Sequence, residues 1–336
     1  MDKETNRQAM IEHAASGTTF AGQLSFLRRR YTRQIAGADV VIAGIPFDCA
    51  TTYRPGARLG PRAIREASVQ LAEIVDNAFP FGINPFESLA VADYGDLELD
   101  AGYPHLIVDT VTRFAQDILE QDAFMISLGG DHFVTYPLLK AHYQVHGPMA
   151  LVHFDAHVDT WPDDGERLDH GSMFLRAKNE GIIDVEHSVQ IGIRSYSDSD
   201  HGFTVLDAPS IHRDGTQSVI NKIRETVGST PAYLTFDIDC LDPAFAPGTG
   251  TPVAGGLSSA QALDIIRGIG DLNYVGMDLV DRTARRGRRG DRRGGGGGRR
   301  RRRGRATRRS RRDVAPADRK STRLNSSHLV ISYAVF

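Results

Sequence analysis

Strand-like apolar segments alternate with helical segments along most of this chain. Between residues 37 and 281, short apolar runs are separated by stretches with helical periodicity. The predicted strands are 39–46, 89–96, 123–130, 149–155, 188–194, 232–239 and 273–280. The predicted helices are 61–73, 106–121, 135–145, 171–180, 217–227 and 258–268. This alternation predicts an α/β fold, with three αβα layers and a mostly parallel central sheet.

Three of the predicted strands end in residues that commonly bind metal ions. The motifs are Gly129-Gly130-Asp131-His132, Asp155-Ala156-His157-Val158-Asp159 and Asp237-Ile238-Asp239-Cys240-Leu241-Asp242-Pro243. Alternate residues of an extended strand share a face, which groups Asp155 with His157 and Asp159, and Asp237 with Asp239. Ligand sites in open α/β sheets form outside the carboxyl ends of the strands. The motifs therefore predict one joint site that can hold two metal ions.

Simpler interpretations exist for some of these residues. An isolated Asp-x-Asp pair is most often a solvated turn. Here, however, four carboxylates repel one another in a buried site unless a cation lies among them. His153 lies two residues before Asp155, on the same face but inside the predicted strand. We therefore interpret it as a core histidine or as one that contacts a ligand residue. Cys240 has the opposite parity from the aspartates and is interpreted as a packing residue, not a thiolate ligand.

The motifs resemble those of the ureohydrolase family, which comprises arginases and agmatinases. The resemblance runs from about Asp39 to Val280 and includes the segment 244–252, Ala-Phe-Ala-Pro-Gly-Thr-Gly-Thr-Pro. It implies the arginase-like αβα fold and two Mn²⁺ ions per chain. The ligands implied by the resemblance are His132, Asp155, His157, Asp159, Asp237 and Asp239, with Asp155 and Asp237 shared between the ions. Mostly oxygen ligands with two imidazoles also suit Mn²⁺ better than Zn²⁺.

The resemblance further implies guanidino hydrolysis, in which agmatine is cleaved to putrescine and urea for polyamine biosynthesis. Segments such as 44–48, Gly-Ile-Pro-Phe-Asp, favour agmatine, while guanidinobutyrate, related guanidino acids and arginine stay open as substrates. Asp159 is the implied proton carrier. His170 is implied as a proton relay or substrate contact, with a surface-loop histidine as the alternative. Asp281 stands where the family has a glutamate that holds the guanidinium group.

Composition predicts the environment of the protein. The two cysteines among 336 residues, Cys49 and Cys240, indicate a reducing compartment and argue against a disulfide scaffold. The sequence shows no signal-peptide pattern and no apolar run of membrane-spanning length. We therefore expect a cytoplasmic protein without membrane association. The family resemblance also implies a homotrimer or homohexamer.

Residues 282–336 differ in composition from the rest of the chain. They hold 20 of the 40 Lys and Arg residues but 3 of the 42 Asp and Glu residues. The rest of the chain is correspondingly acidic, which suits a cationic substrate. An Arg/Gly-rich stretch cannot bury an apolar core, so this tail is expected to be disordered.

The sequence thus predicts an N-terminal arm (1–36), a catalytic domain (37–281) and the basic tail (282–336). Past Val280 a family member continues with further helices and a strand. We therefore interpret the C-terminal elements of the domain as missing, and the tail as a frameshift product or cloning artefact. This interpretation puts the activity of the chain in question. The alternative is a genuine tail that binds nucleic acid or other polyanions nonspecifically.

Overall fold

The structure is a computed structural model that describes residues 2–13, 19–73 and 80–283. Within these residues, nine parallel strands form one sheet. The strands are β1 (Arg30–Tyr31), β2 (Val40–Gly44), β3 (Val91–Asp96), β4 (Phe124–Leu128), β5 (Ala150–Phe154), β6 (Val189–Ile193), β7 (Thr204–Asp207), β8 (Ala232–Asp237) and β9 (Tyr274–Val280). Their order across the sheet is β1-β3-β2-β4-β9-β8-β5-β6-β7, so β9 lies at the centre.

Helices cover both faces of the sheet. In the described ranges the α-helices are α1 (Lys3–Ile11), α2 (Gly60–Ser68), α3 (Ile107–Leu119), α4 (Thr135–His146), α5 (Met173–Asn179), α6 (Ala208–Asp214), α7 (Thr216–Val227) and α8 (Ser259–Gly268). Side chains of β2 alternate between two cores: Val40 and Ile42 join the core that includes α7 and α8. Val41 and Ala43 join the core that includes α3 and α4. The predicted three-layer αβα fold with a parallel sheet is confirmed.

The central strands are apolar because both of their faces are covered. Every residue of β2 (Val-Val-Ile-Ala-Gly) and of β8 (Ala-Tyr-Leu-Thr-Phe-Asp) is buried. Continuous apolar runs are typical of parallel strands covered on both faces.

All predicted strands are present, as β2 to β6, β8 and β9, with ends that differ by a few residues. The predicted helices correspond to α2 to α5, α7 and α8.

Among the strands and α-helices of the described residues, four were not predicted from the sequence. β1 has two residues, and β7 is a partly exposed edge strand, so neither shows a long apolar run. α6 has seven residues, and α1 is a mainly polar helix with Asp2 as its N-cap. α1 nevertheless packs against the sheet domain. Its Met10 is buried, and the side-chain amide of Asn6 donates to the carbonyls of Gln34 (2.9 Å) and Ala36 (2.8 Å).

The beginning of the basic tail contacts the domain. Arg282 forms an antiparallel bridge with Thr249, and the Thr283 amide donates to the Gly248 carbonyl at 2.8 Å. Residues 284–336 lie outside the described residues. The predictions of disorder, a frameshift or artefact, missing C-terminal elements and polyanion binding fall on that part of the chain. Within the described ranges, every helix is too short or too polar to span a bilayer.

Candidate metal centre

Four neighbouring strands at the centre of the sheet deliver the candidate ligands to one edge. β4, β9, β8 and β5 are parallel, so their carboxyl ends lie side by side. His132 follows β4, Asp155 follows β5, Asp237 ends β8 and Asp281 follows β9. The structure brings together every ligand predicted from the sequence, and His170 lies beside them.

A close backbone contact shapes the turn that follows β4. A Cβ atom on Gly130 would overlap the carbonyl oxygen of Phe47, so this position requires glycine. The Asp131 amide donates to that same carbonyl at 2.8 Å. The Asp131 carboxylate in turn accepts the Ala50 amide at 2.8 Å. These contacts fix the loop after β2 against β4 and bring Thr52 to the candidate site.

Three carboxylates meet at the Nδ1 atom of His132. This atom lies 2.9 Å from Asp155 Oδ2, 3.0 Å from Asp159 Oδ2 and 3.3 Å from Asp237 Oδ2. The imidazole is fully buried, yet Nδ1 makes no hydrogen bond with any described residue in spite of these short distances. A buried nitrogen that faces three carboxylate oxygens without a hydrogen bond fits a cation held among them.

A hydrogen-bond network fixes the other side of the His132 ring. Its Nε2 atom lies 2.8 Å from Thr235 Oγ1, and the Thr235 hydroxyl donates to Asp278 Oδ1 at 2.6 Å. Asp278 also accepts from the hydroxyls of Thr135 (2.9 Å) and Tyr233 (3.0 Å). Because the Thr235 proton goes to Asp278, the Thr235 oxygen accepts the Nε2 proton of His132. Nδ1 is left with a lone pair directed at the carboxylates, as a metal-binding histidine requires.

A second cluster surrounds His157, whose side chain is 15% exposed. Its Nδ1 atom lies 3.2 Å from Asp155 Oδ1 and 3.3 Å from Asp239 Oδ2. The two oxygens of Asp155 therefore face different histidines, and this carboxylate joins the two clusters. Asp237 differs, because its Oδ2 faces His132 while its Oδ1 accepts the Asp239 amide at 2.7 Å. The residues present thus fit two adjacent cations.

Burial and mutual repulsion govern the titration of these carboxyl groups. Burial raises the pKa of Asp239 to about 6, and the charge of Asp155 adds to this shift. Burial also raises the pKa of Asp237 well above its usual value, with further contributions from the charges of Asp239, Asp281 and Asp155. Burial acts in the same direction on Asp155, but the close imidazoles of His132, His153 and His157 outweigh it and hold its pKa well below the usual range. Divalent cations would supply the compensating charge that this group needs.

His153 contacts the shared carboxylate from within the sheet. It is fully buried, and its Nε2 atom lies 2.9 Å from Asp155 Oδ2. The Gln190 side-chain amide donates to His153 Nδ1 (3.3 Å) and to the Val158 carbonyl (2.7 Å). Acceptance at Nδ1 places the ring proton on Nε2. Although His153 lies close enough to join the His132 cluster, it acts as a donor to Asp155, in agreement with our interpretation from the sequence.

Beside the two clusters lies a small cavity of about 30 Å³. It is lined by Thr52, His157, Asp159, Trp161, His170, Gly171, Asp237, Thr251 and Asp281. A larger cavity, of about 220 Å³, is lined by residues of the 46–58 and 98–110 segments and contains none of the predicted ligands. The small cavity is therefore the candidate substrate site.

His170 is held between Thr52 and Asp281. Its Nε2 atom accepts the Thr52 amide at 3.1 Å, and its Nδ1 atom lies 3.3 Å from Asp281 Oδ2. Burial lowers the pKa of His170, but the hydrogen bond with Asp281 and the nearby carboxylates outweigh burial and raise it to about 9. The Thr52 amide opposes protonation of Nε2, because two N–H groups would then face each other. His170 is buried, unlike a histidine of a surface loop.

Two acidic residues of the site have unusual backbone angles. Asp159 and Asp281 have φ values of 50° and 56°, which are uncommon for residues other than glycine. Such conformations are often found at functional sites. Both residues line the candidate cavity.

Several contributors to the site were missed in the sequence. Asp278 had a usable signal, because it is a charged residue within the apolar run Met-Asp-Leu-Val of β9. Thr235 is a single hydroxyl in a buried strand, and Thr52 lies in a loop, so neither differs from ordinary structural threonines. Their roles follow from contacts with residues distant in the sequence.

The chain is similar to known proteins both in sequence and in structure. The profile of the Arginase family matches residues 38–288. An agmatinase of Chromobacterium violaceum is 56% identical over 265 residues, which cover 78% of this chain and 82% of the relative. A hypothetical agmatinase from Burkholderia thailandensis has a TM-score of 0.81 at 47% identity, covering 96% of this chain and 93% of that one. Proclavaminate amidino hydrolase from Streptomyces clavuligerus has a TM-score of 0.74 at 38% identity, covering 80% and 91%.

The chain belongs to the Arginase family, whose members depend on a binuclear metal centre. The homologues and the fold further define it as an enzyme, an amidino hydrolase. The family resemblance and the arginase-like fold predicted from the sequence are confirmed.

Proposed function

We propose that this chain hydrolyses agmatine to putrescine and urea, with two Mn²⁺ ions in the two ligand clusters. The observation that carries the proposal is the buried Nδ1 atom of His132, which faces three carboxylate oxygens without a hydrogen bond to any residue that the structure describes. The relatives described above, which are named agmatinases, support the choice of substrate. The product putrescine would connect the reaction to polyamine biosynthesis.

The proposed ligands form two sets that share residues. His132, Asp155, Asp159 and Asp237 would hold the first ion, and His157, Asp155, Asp237 and Asp239 would hold the second. The shared role of Asp155 is supported by its two oxygens, which lie 2.9 Å from His132 Nδ1 and 3.2 Å from His157 Nδ1. Two imidazoles and four carboxylates favour Mn²⁺ over Zn²⁺.

Two divalent ions bound in these clusters would lower the pKa of water in the site and so would supply a nucleophile at neutral pH. The chain itself must bind and orient the guanidinium group. Asp281 lines the cavity, and its Oδ1 atom is buried without a hydrogen-bond partner among residues 2–13, 19–73 and 80–283. A planar guanidinium presents N–H donors that pair with carboxylate oxygens. We propose that Asp281 holds the substrate here, with a side chain one methylene shorter than the family's glutamate.

Asp159 and His170 are the proposed proton carriers. Asp159 directs Oδ2 at His132 and also lines the cavity, so its second oxygen can carry a proton to the departing amine. His170 lines the same cavity and is oriented by its contacts with Thr52 and Asp281. A histidine held in this way can relay protons between the substrate and the site.

The cavity lining favours agmatine over arginine. Of the lining residues in the described part of the chain, none is lysine or arginine. The α-carboxylate of arginine would find no lysine or arginine side chain in this lining to pair with, at a cost of about 1–3 kcal/mol. The carboxylate of 4-guanidinobutyrate would meet the same penalty. Agmatine instead carries a second positive charge, which the acidic lining attracts.

Urea release from agmatine, L-arginine and 4-guanidinobutyrate tests this assignment. With Mn²⁺ present, we expect kcat/KM for agmatine to exceed the other two values by at least about 5-fold, as 1–3 kcal/mol implies. The Asp155→Ala variant, purified in the same way, controls for contaminating host enzymes. A higher kcat/KM for either carboxylate substrate would contradict the choice of agmatine.

The cytoplasmic location and the homotrimeric or homohexameric assembly predicted from the sequence are also part of the proposal. Analytical ultracentrifugation of the full chain tests the assembly. A monomer at micromolar concentration would contradict it.

A further inference from the structure

Arg194 connects the strand ends that carry the second ligand cluster. It directly follows β6 and is half-buried. Its backbone amide and that of Ser195 both donate to the Ala156 carbonyl, at 3.0 and 3.1 Å. Ala156 lies between Asp155 and His157, two of the proposed ligands. The backbone of Arg194 is therefore anchored to the ligand segment that follows β5.

The guanidinium group of Arg194 binds backbone carbonyls rather than carboxylates. It makes six hydrogen bonds, with lengths from 2.6 to 3.3 Å. The acceptors are the carbonyls of Gly192, Asp239, Cys240, Leu241 and Val253. A planar fork with five N–H donors can satisfy such a set, whereas the compact ammonium of lysine cannot.

These carbonyls belong to the segments that fix Asp239. The shortest of the six bonds, at 2.6 Å, is to the carbonyl of Asp239 itself. Val253 lies two residues after Thr251, whose hydroxyl donates to Asp239 Oδ2 at 3.1 Å. The Ala156 amide donates to the other carboxylate oxygen of Asp239, also at 3.1 Å. Arg194 therefore crosslinks all three segments that orient this carboxylate.

The space around the guanidinium group is closely filled. A Cβ atom on Gly256 would lie 2.7 Å from Arg194 Nη2 and 2.6 Å from the Asp242 amide nitrogen. The loop that follows Asp239 therefore packs directly against the arginine. The His132 cluster is instead oriented through Thr235 and Asp278.

We propose that Arg194 is a positioning residue that sets the affinity of the His157–Asp239 cluster for its ion, without contacting the ion or the substrate. The inference rests on the proposed two-ion centre. Residues that orient metal ligands typically contribute 10- to 100-fold to metal affinity. Loss of the guanidinium fork should therefore weaken one of the two ions and spare the other.

Calorimetric titration of the metal-free full chain with Mn²⁺ tests the proposal. The variants are Arg194→Lys, which keeps the charge, and Arg194→Met, which removes it. We expect both to bind one ion as the unaltered chain does and to bind the other about 10- to 100-fold more weakly. Arg224→Met is a matched control, because Arg224 also donates to a backbone carbonyl, that of Gly268, on the remote α7–α8 surface.

The possible outcomes separate the two proposals. Fewer than two ions on the unaltered chain would contradict the two-ion centre itself. Two ions on the unaltered chain with unchanged affinities in both variants would overturn the role of Arg194. Normal Mn²⁺ affinities in Arg194→Lys, with weakened binding in Arg194→Met, would show that the charge matters and the planar guanidinium group does not. That result would also overturn the proposal. Loss of cooperative melting or equal weakening of both ions would make Arg194 a residue of general stability and overturn the proposal as well.

Discussion

The His132 and His157 halves of the proposed metal centre are held in place by different means. His132 is fully buried, and its ring is fixed by side chains of the central strands β8 and β9, Thr235 and Asp278. The His157 side chain is 15% exposed, and its partner Asp239 is fixed mainly by loop backbone and the Arg194 guanidinium. The sheet thus orients one half, and loops orient the other.

This difference has a consequence for metal binding. Central strands of a sheet open less readily than loops, because more burial and more hydrogen bonds must be lost. A preorganised ligand set binds its ion more tightly than one that must first be ordered. We therefore expect two unequal Mn²⁺ affinities, with the tighter ion in the His132 half.

The largest expected effect comes from the residue that both halves share. Asp155→Ala removes the carboxylate that faces both histidines, so we expect less than one ion per chain and no measurable urea release. Metal analysis after gel filtration and a urea assay measure the two quantities. Asp117→Ala, an exposed position on α3, is the control and should retain both properties. Two bound ions in Asp155→Ala would refute the shared role.

Replacing each histidine separately compares the two halves directly. His132→Ala and His157→Ala should each lose mainly one ion, because each imidazole faces a different oxygen of Asp155. His132→Ala should remove the tighter ion, and His157→Ala should remove the weaker one. Mn²⁺ titrations of both variants measure this difference. If either substitution abolished both ions, the division into halves would be wrong.

A smaller effect is expected from the network behind His132. Thr235→Val keeps the shape of the side chain but removes the acceptor of the His132 Nε2 proton. We expect about 10- to 100-fold weaker binding of the tighter ion and unchanged binding of the other. Thr112→Val, which removes a hydroxyl bonded to the Pro137 carbonyl, is the control. Equal weakening of both ions would indicate a general loss of stability instead.

Much of the fold was predictable because its signals are local. The strands that carry the site are apolar runs. Asp155, His157 and Asp159 do lie close to one another, although the strand ends at Phe154 and Asp159 has a φ of 50°, so alternation along an extended strand is not what groups them. The order of the strands was not predictable in this way. β9 comes last in the described chain yet lies between β4 and β8, and this placement depends on packing between distant segments.

The candidate site, too, could be predicted only in part from the sequence. Its charged residues stand out in the sequence because carboxylates and imidazoles are rare at the ends of buried strands. The residues that orient them do not stand out. Thr235, Gln190 and Arg194 act through partners that lie 103, 37 and 45 positions away in the sequence, so only the folded chain reveals their contacts.

Titration of the metal-free, unaltered chain with Mn²⁺ tests the central claim most directly. We expect two ions per chain with distinct affinities, and agmatine hydrolysis that reaches its maximum only when the second ion is bound. A single ion per chain in the fully active, saturated protein would contradict the two-ion centre.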